Sequence, residues 1–350
     1  MARIRYKDWK PGLAALATVK QANAICAELS AQGYDLTLRQ LFYQFVSRDL
    51  ISNSQREYKR LGSVVDDARL AGLLDWDYIV DRTRNLAHNS HWDDPSSIME
   101  GAARSFMLDR WADQPTRVEV WVEKEALAGV VKRAADNYDC AWFSCRGYTS
   151  SSEMHVAGTR LGKYIQGGQD VVILHLGDHD PSGIDMTRDI EDRLRKFIYT
   201  DYAQANTSEL EKEYGDTAYQ FGTIGSAIED WLHFDQPGRT VHGRGGLEVH
   251  RIALNMDQIE EYDPPPNPAK FTDSRAENYV AEYGDQSWEL DALNPATLDA
   301  LITERIEQYI DLDRYNELVE AEDEHTQLLR KAADRWEEVV EFLEREDDAS

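Results

Sequence analysis

The segment Val171-Val172-Ile173-Leu174-His175-Leu176-Gly177-Asp178-His179-Asp180-Pro181-Ser182-Gly183 reads as one strand, one tight acidic loop and the start of a helix. The run from Val171 to Leu176 is almost continuously apolar, as a strand covered on both faces requires. Gly177 and Gly183 allow a sharp turn and close backbone approach. From Ile184 onward, Ile190, Leu194, Phe197 and Ile198 recur at helical spacing. The same alternation extends upstream. Val118-Glu119-Val120-Trp121-Val122 is rich in strand formers, Glu125 to about Asp136 is helical, and Ala141 to Cys145 reads as a second strand. A helix over about 152–165 completes a βαβαβα order. That order predicts a parallel, Rossmann-like sheet covered by helices over 117–310.

Before residue 117 the chain reads as α-rich. Leu13, Leu16, Val19, Ile25 and Leu29 mark an N-terminal helix over 1–30. At the next helix, Thr37 and Gln40 are spaced for a capping box, with Leu36 and Leu41 placed as a hydrophobic staple. A further helix follows Ser54 through Tyr58, Leu61, Val65 and Ala68, and Tyr78-Ile79-Val80 reads as a short strand. Two helices and then a strand is the order of a winged helix-turn-helix, here over 31–95, with a connector over 96–116. The stretch Asp263-Pro264-Pro265-Pro266-Asn267-Pro268 reads as an extended loop. In the last segment, 311–350, Leu318, Leu329, Ala332, Trp336, Val339 and Leu343 define an amphipathic helix or coiled coil.

The apolar fraction of 42% over 350 residues is enough for two domains with real cores. No apolar run is long enough to span a membrane. The basic N-terminus has no apolar block behind it, so no secretory signal is expected. Cys26, Cys140 and Cys145 form no disulfide framework and no metal spacing, which suits a reducing cytoplasm. The net charge is -27, and it is unevenly spread. Residues 1–110 carry 15 basic and 14 acidic side chains, whereas 311–350 carry 5 and 15. A polyanionic partner is therefore expected to meet the N-terminal part, weakly and with strong salt sensitivity.

Ligands of open parallel sheets gather at the carboxyl ends of the strands. Strand one ends at Glu123-Lys124, and the strand at 171–176 ends at Asp178 and Asp180, which an extended segment points to one side. Glu123, Asp178 and Asp180 are thus expected to converge as hard oxygen ligands suited to Mg2+. Caps of the following helices are the plainer reading of the same acids.

Glu123-Lys124 after one strand and Asp178-His179-Asp180-Pro181-Ser182-Gly183 after another resemble the two signatures of the Toprim fold. The second form resembles the A subunit of type IIB DNA topoisomerase (topoisomerase VI) and the related meiotic double-strand-break transesterase. Arg39-Gln40-Leu41-Phe42-Tyr43 is similar to the tyrosine motif of that family, with Gln40 at a place commonly acidic. His179 stands where a glycine is usual. The segments 251–259 and 288–293 resemble the family's C-terminal part, and the resemblance covers about 30–310. It implies a winged-helix domain followed by a Toprim domain, double-stranded DNA as substrate, and Mg2+ as cofactor. Tyr43 would be the nucleophile, becoming joined to a DNA 5′ end, with Arg39 and Glu123 as further catalytic residues. It also implies a homodimer in which Tyr43 of one protomer meets the metal site of the other. No ATP-binding motif is present, so a separate ATPase or regulatory partner is expected.

Helical geometry bears on Tyr43 independently. Leu38, Leu41, Phe42 and Phe45 form an apolar stripe, and at 100° per residue Tyr43 lies roughly 130° from its centre. Tyr43 is thus expected to leave the local core beside Arg39, four residues earlier. That guanidinium would favour the phenolate and hold a phosphate. Arg56, Lys59 and Arg60, with Arg82 and Arg84 near the wing, are the candidate phosphate contacts; a solvated charged face is the alternative. Arg146 lies in a loop that reads equally as a phosphate contact or a polar turn. Lys124 fits either a phosphate contact or a partner for an acid. His175 and His179 read as core residues. Three readings stay open: a tyrosine transesterase, a Toprim nuclease that hydrolyses DNA with its metal alone, and a non-catalytic DNA-binding protein.

Overall fold

The computed structural model describes residues 5–80, 89–205, 246–268 and 275–347. The chain divides into two compact units, one of Met1–Arg84 with Thr116–Tyr309, the other of Asn85–Pro115 with Ile310–Ser350.

The first unit is built on a four-stranded parallel sheet. Its strands are β1 (Thr116–Val122), β2 (Ala141–Ser144), β3 (Asp170–Leu176) and β4 (Leu247–Ala253), in the spatial order β2-β1-β3-β4. Every residue of β3 after Asp170 is buried, which is why its sequence shows no alternation. One face of the sheet carries α6 (Ser151–Gln166) and α7 (Pro181–Ala205), where Trp121, Val171 and Ile173 meet Met154, Leu161, Ile190 and Leu194. The other face carries α5 (Ala128–Asp136) and α10 (Pro295–Glu307), with Val131, Leu298 and Ile302 buried. Burying a side chain of this kind stabilises by about 1.5–3 kcal/mol. The α/β class and the parallel sheet are thus as the alternation predicts. The sequence reading lacks β4, whose Glu248, His250 and Arg251 interrupt its apolar pattern. It pairs in parallel with β3 from Val171↔Leu247 to Leu176↔Ala253.

The N-terminal part of this unit contributes α1 (Leu13–Ala31), α2 (Leu38–Ser47) and α3 (Gln55–Leu70). The capping box of α2 is present: Gln40 N–H donates to Thr37 Oγ1 at 3.3 Å, and Thr37 N–H to Gln40 Oε1 at 2.8 Å. Ser54 likewise caps α3 through Glu57 N–H. The strand expected at Tyr78–Val80 is instead a 3-10 turn, Trp76–Tyr78, followed by a single bridge from Ile79 to Leu36. So short a segment has one extended partner residue to pair with. Arg82 and Arg84 lie outside the described residues. Short helices α8 (Met256–Tyr262) and α9 (Ala276–Tyr283) and the two-residue strands β5 (Asn267–Pro268) and β6 (Gln286–Ser287) complete the unit.

The second unit corrects the expected connector at 96–116. That stretch holds most of a helix, α4 (Pro95–Ser105), which Asp94 caps through Ser97 N–H at 2.7 Å. It packs along α11 (Leu312–Asp334), so connector and tail form one body. The Arg110 guanidinium reaches both oxygens of Glu322, at 2.7 and 3.2 Å, and Tyr315 Oη at 2.9 Å. The tail is helical as expected, in two pieces, α11 and α12 (Trp336–Asp347). Its apolar positions are half-buried, and Leu343 is exposed. Among the described residues no helix is long and apolar enough to cross a membrane. The three cysteines are free and buried.

Candidate functional site

The carboxyl ends of β1 and β3 lie side by side, and two further segments are drawn to them. Main-chain bonds between His179 and Trp288, both 2.9 Å, dock the chain after β6 against the acidic loop. The following 3-10 turn, Leu290–Ala292, then presents Glu289 and Asp291 to that loop. Leu290 N–H donates to Asp178 Oδ1 at 2.8 Å. Helix α2 approaches the same turn and brings Arg39 and Tyr43.

The centre of this cluster is Lys124. Its ammonium lies 2.8 Å from Asp178 Oδ1 and 3.0 Å from Asp291 Oδ1, and it also contacts Glu289 Oε2. Arg39 supplies the second cation, with Nε 2.8 Å from Asp291 Oδ2 and Nη2 2.6 Å from Glu289 Oε2. Burial alone would lower the Lys124 pKa, but Asp291, Asp178 and Glu289 together hold it above the usual lysine value. Glu289 is held down at about 2: burial opposes this, and Lys124 and Arg39 prevail. Burial drives Asp178 the other way, well above an ordinary carboxylate, helped by its acidic neighbours. Lys124 therefore stays charged, and burial opposes the charged form of Asp178.

The expected triad is not the set that converges. Among the described residues, the carboxylates whose oxygens fall within 4.8 Å of one another are Asp178, Glu289 and Asp291. Asp180 caps α7, its Oδ1 accepting from Ser182 Oγ and Gly183 N–H, both at 2.7 Å. This is the N-terminal capping role open to any acid at that position. Glu123 Oε2 accepts the Asp178 N–H at 2.8 Å, and burial raises the Glu123 pKa, with the Asp180 charge adding to it. Glu123 and Asp180 thus flank the cluster and shape its loop. Arg251, on β4, staples that loop through the carbonyls of Gly177 (2.9 Å), Asp178 (2.6 Å) and Gly183 (2.9 Å). Gly183 is obligatory, because a Cβ there would lie 2.1 Å from the Asp178 carbonyl oxygen.

Tyr43 is buried, not turned out of the core as its helix alone suggested. The centre of α2 is buried all round, from Gln40 to Val46, because the 290–292 turn covers the face that α1 and α3 leave open. Arg39 does stand beside it, with Cζ 5.7 Å from the ring centroid. The phenol is nevertheless pushed up to about 12, by burial first and then by Glu289 and Asp291; Arg39 and Lys124 act against this without reversing it.

The other candidates separate clearly. Arg56 and Lys59 are exposed on α3, and Arg60 is half-buried and bound to Glu57 at 2.7 Å. Arg146 is exposed, in the left-handed region at φ 55°, and paired with Glu125 at 3.0 Å. Lys124 is committed to acids, which removes it from the surface available to phosphate. His179 packs its ring among Tyr279, Tyr283 and Trp288, and its Nδ1 lies 2.8 Å from Tyr279 Oη. His175 is fully buried, and desolvation lowers its pKa to about 3. Both are core residues. Glu289, Asp291 and Arg251 are the members missed from sequence. Glu289-x-Asp291 repeats the acid-x-acid spacing of Asp178-x-Asp180, which was the available signal.

Counting Glu123, Asp178, Asp180, Glu289 and Asp291 against Lys124, Arg39 and Arg251, five carboxylates face three cations, a formal charge of −2. The donors are hard oxygens, and a divalent cation would offset that residual charge, so the residues could hold a metal ion. Asp178, Glu289 and Asp291 would hold it, in exchange for Lys124. Comparison with protein-family profiles and with curated proteins returns no match for this chain.

Proposed function

We propose that this chain is a Mg2+-dependent DNA-cleaving enzyme of the type IIB topoisomerase A-subunit kind, with Tyr43 as nucleophile. The observation that carries the reading is the shared cluster. The residue proposed as nucleophile, its arginine and the strand-end acids are linked through Arg39 and Lys124 into one network. Mg2+, when bound, supplies charge neutralisation at the phosphate undergoing attack. The chain's own residues do the rest. Tyr43 Oη forms a bond to phosphorus as the bond to the 3′ oxygen breaks; the phenol gives up its proton, and the 3′ oxygen gains one. The 5′ phosphate stays joined to Tyr43, and reversal regenerates the phosphodiester. Arg39 is placed to hold a phosphate oxygen once its carboxylate partners are engaged elsewhere. Arg56, Lys59 and Arg60 on α3 offer the duplex its cationic contacts.

A second reading has its own support. A buried Tyr43 whose phenol stands near 12 is a poor nucleophile, which favours hydrolysis by the metal site alone. Supercoiled plasmid incubated with Mg2+ at low salt separates the two. Reactions are stopped with denaturant and extracted with phenol before or after protease digestion. Transesterification sends cut DNA into the phenol layer unless protease comes first, and both Tyr43→Phe and Asp178→Ala are inactive. Free ends, with Asp178→Ala alone inactive, would establish the hydrolytic nuclease. Binding without cleavage by the wild type would leave a DNA-binding protein.

A further inference from the structure

Lys124 and Arg39 pair with carboxylates, whereas the hydrogen bonds of Arg251 go to neutral oxygens. Its Nη2 donates to Gly177 O at 2.9 Å and Asp178 O at 2.6 Å. Its Nη1 donates to Gly183 O at 2.9 Å and Thr187 Oγ1 at 3.2 Å, and its Nε to Leu254 O at 3.4 Å. Gly177 and Asp178 open the acidic loop, and Gly183 and Thr187 lie in the first turns of α7. One planar fork thus ties both ends of the loop to the end of β4.

The sheet is shaped for this reach. His175 pairs with Arg251 and Leu176 with Ala253, so β4 carries one extra residue, Ile252, directly after the arginine. A bulge of this kind re-aims a neighbouring side chain. Gly177 leaves the guanidinium room, since a Cβ there would lie 3.1 Å from Arg251 Nη1 and 3.0 Å from Glu123 Oε2. On the far side of the fork, Thr187 Oγ1 lies 2.8 Å from Nδ1 of the buried His175. Asp178 is consequently held at both main-chain groups, its carbonyl by Arg251 and its N–H by Glu123 Oε2 at 2.8 Å. That fixes the direction of its side chain, whose Oδ1 meets Leu290 N–H and the Lys124 ammonium, both at 2.8 Å.

We propose that Arg251 is a positioning residue for the cation seat: by holding the Asp178 carbonyl and both ends of the acidic loop, it aims the Asp178 carboxylate at Glu289 and Asp291. The assignment rests on the reading of Asp178, Glu289 and Asp291 as a Mg2+ seat. Charge alone would act the other way. Burial draws the Arg251 pKa down to about 10 while Glu123, Asp178 and Asp180 hold it up, so the guanidinium is charged at neutral pH. A fixed cation beside three acids opposes the arrival of another. Positioning and charge therefore predict opposite effects when Arg251 is removed.

Titration calorimetry of MgCl2 into the full chain reads the affinity, at a temperature where circular dichroism shows each variant folded. Hydrogen–deuterium exchange of peptides over 177–183 and 288–292 reads the loop and the turn it meets. Arg251→Lys keeps the charge but offers its donors from a single point in place of a planar fork. Arg251→Met keeps neither charge nor donors. Both are expected to weaken Mg2+ binding by about 10–100-fold, the range typical when residues that orient metal ligands are removed. Both should also speed exchange over those two segments while β1 and β3 stay protected. Thr187→Val removes one acceptor of the fork and no charge. It should move both readouts in the same direction by a smaller factor, and it decides the question if the Arg251 variants do not fold. Unchanged affinity in Arg251→Lys, tighter binding in Arg251→Met, or unchanged affinity and exchange in a folded Thr187→Val as sole variant overturns the proposal. If the wild type shows no Mg2+ binding that Asp178→Asn abolishes, the seat itself falls. Exchange then decides the rest: local loss of protection in Arg251→Lys keeps Arg251 as the residue that aims Asp178, and unchanged protection overturns that as well.

Discussion

Take away the Lys124 ammonium and three carboxylates face one another with Arg39 as their remaining close cation. Lys124→Met keeps much of the side-chain volume and leaves that charge unbalanced. Removing one partner of a buried ionic network costs roughly 3–5 kcal/mol. The protein should therefore melt lower than wild type in chelator. Mg2+ should restore much of the difference, because a ligand that binds the folded chain alone stabilises it in proportion to the logarithm of its concentration. The wild type should respond less, since its own ammonium competes for the same oxygens. Melting curves of both proteins with and without Mg2+ decide the matter, and a variant as indifferent to Mg2+ as to Na+ would falsify the assignment of Asp178, Glu289 and Asp291 as the cation seat. Asp178→Asn gives the complementary result, lowering the response of the variant to Mg2+ while removing the carboxyl that burial most disfavours in its charged form.

Among the elements, those whose burial is uniform were the easiest to read. The β1 and β3 strands and the helices between them follow from apolar runs and helical spacing, because each is covered by a sheet or a helix over most of its length, whereas β2, at the sheet edge, is legible from its strand-forming residues although it is at most half-buried. The β4 strand did not announce itself, since charged residues sit at its half-buried positions and Arg251 acts on a neighbouring loop. Two of the three clustered acids were equally hidden. Asp178 is legible as a strand-end acid, whereas Glu289 and Asp291 reach it only through the His179–Trp288 pairing, which no local pattern encodes. Tyr43 shows the same limit from the other side: a helical wheel sees one neighbour surface, and α2 has more than one. The pairing of α4 with α11 is also non-local, and it rests on a testable contact. Glu322 accepts from Arg110 and from Leu108 N–H, and the Arg110 hydrogen bond holds its carboxyl below the ordinary value. A depressed folded-state pKa stabilises above the unfolded value near 4.3, and that contribution is lost as pH falls through the folded value. Glu322→Gln should thus lower the unfolding free energy at pH 7 by about 1–2 kcal/mol, with the gap between variant and wild type closing in the acid range below about pH 4. Urea titrations of both proteins at the two pH values measure it; a gap that stays constant would mean that charge at Glu322 is irrelevant to the pairing.

For the whole molecule the governing quantity is a net charge of -27, to be set against the polyanionic substrate of the proposed function. Non-specific attraction to a duplex is driven by release of counterions from phosphates that lysine and arginine replace. The candidate cations on α3 are few: Arg56 and Lys59 are exposed, and Arg60 is shared with Glu57. Lys124 and Arg39 are absorbed by the acidic cluster, and Arg146 by Glu125. With about two or three phosphates neutralised from α3, the logarithm of the binding constant should fall against the logarithm of salt with a slope of about −2 to −3. That is shallow for a DNA-binding protein, in place of the strong salt sensitivity expected from the charge distribution alone, because so few cations on α3 are free of acidic partners, and it implies that affinity is low at every ionic strength. Fluorescence anisotropy of a labelled duplex across a KCl series gives the slope directly. Arg56→Ala and Lys59→Ala should each make it shallower by about one unit, uniformly across duplex sequences, as expected of contacts that position the duplex and read no base. Slopes unchanged in both variants would remove α3 as the docking face, and a steep wild-type slope would place further cations in contact with the duplex. On the proposed reading, the acidic remainder of the surface would keep loosely held DNA from accumulating, leaving any cleavage dependent on the contacts that seat a phosphate at Tyr43.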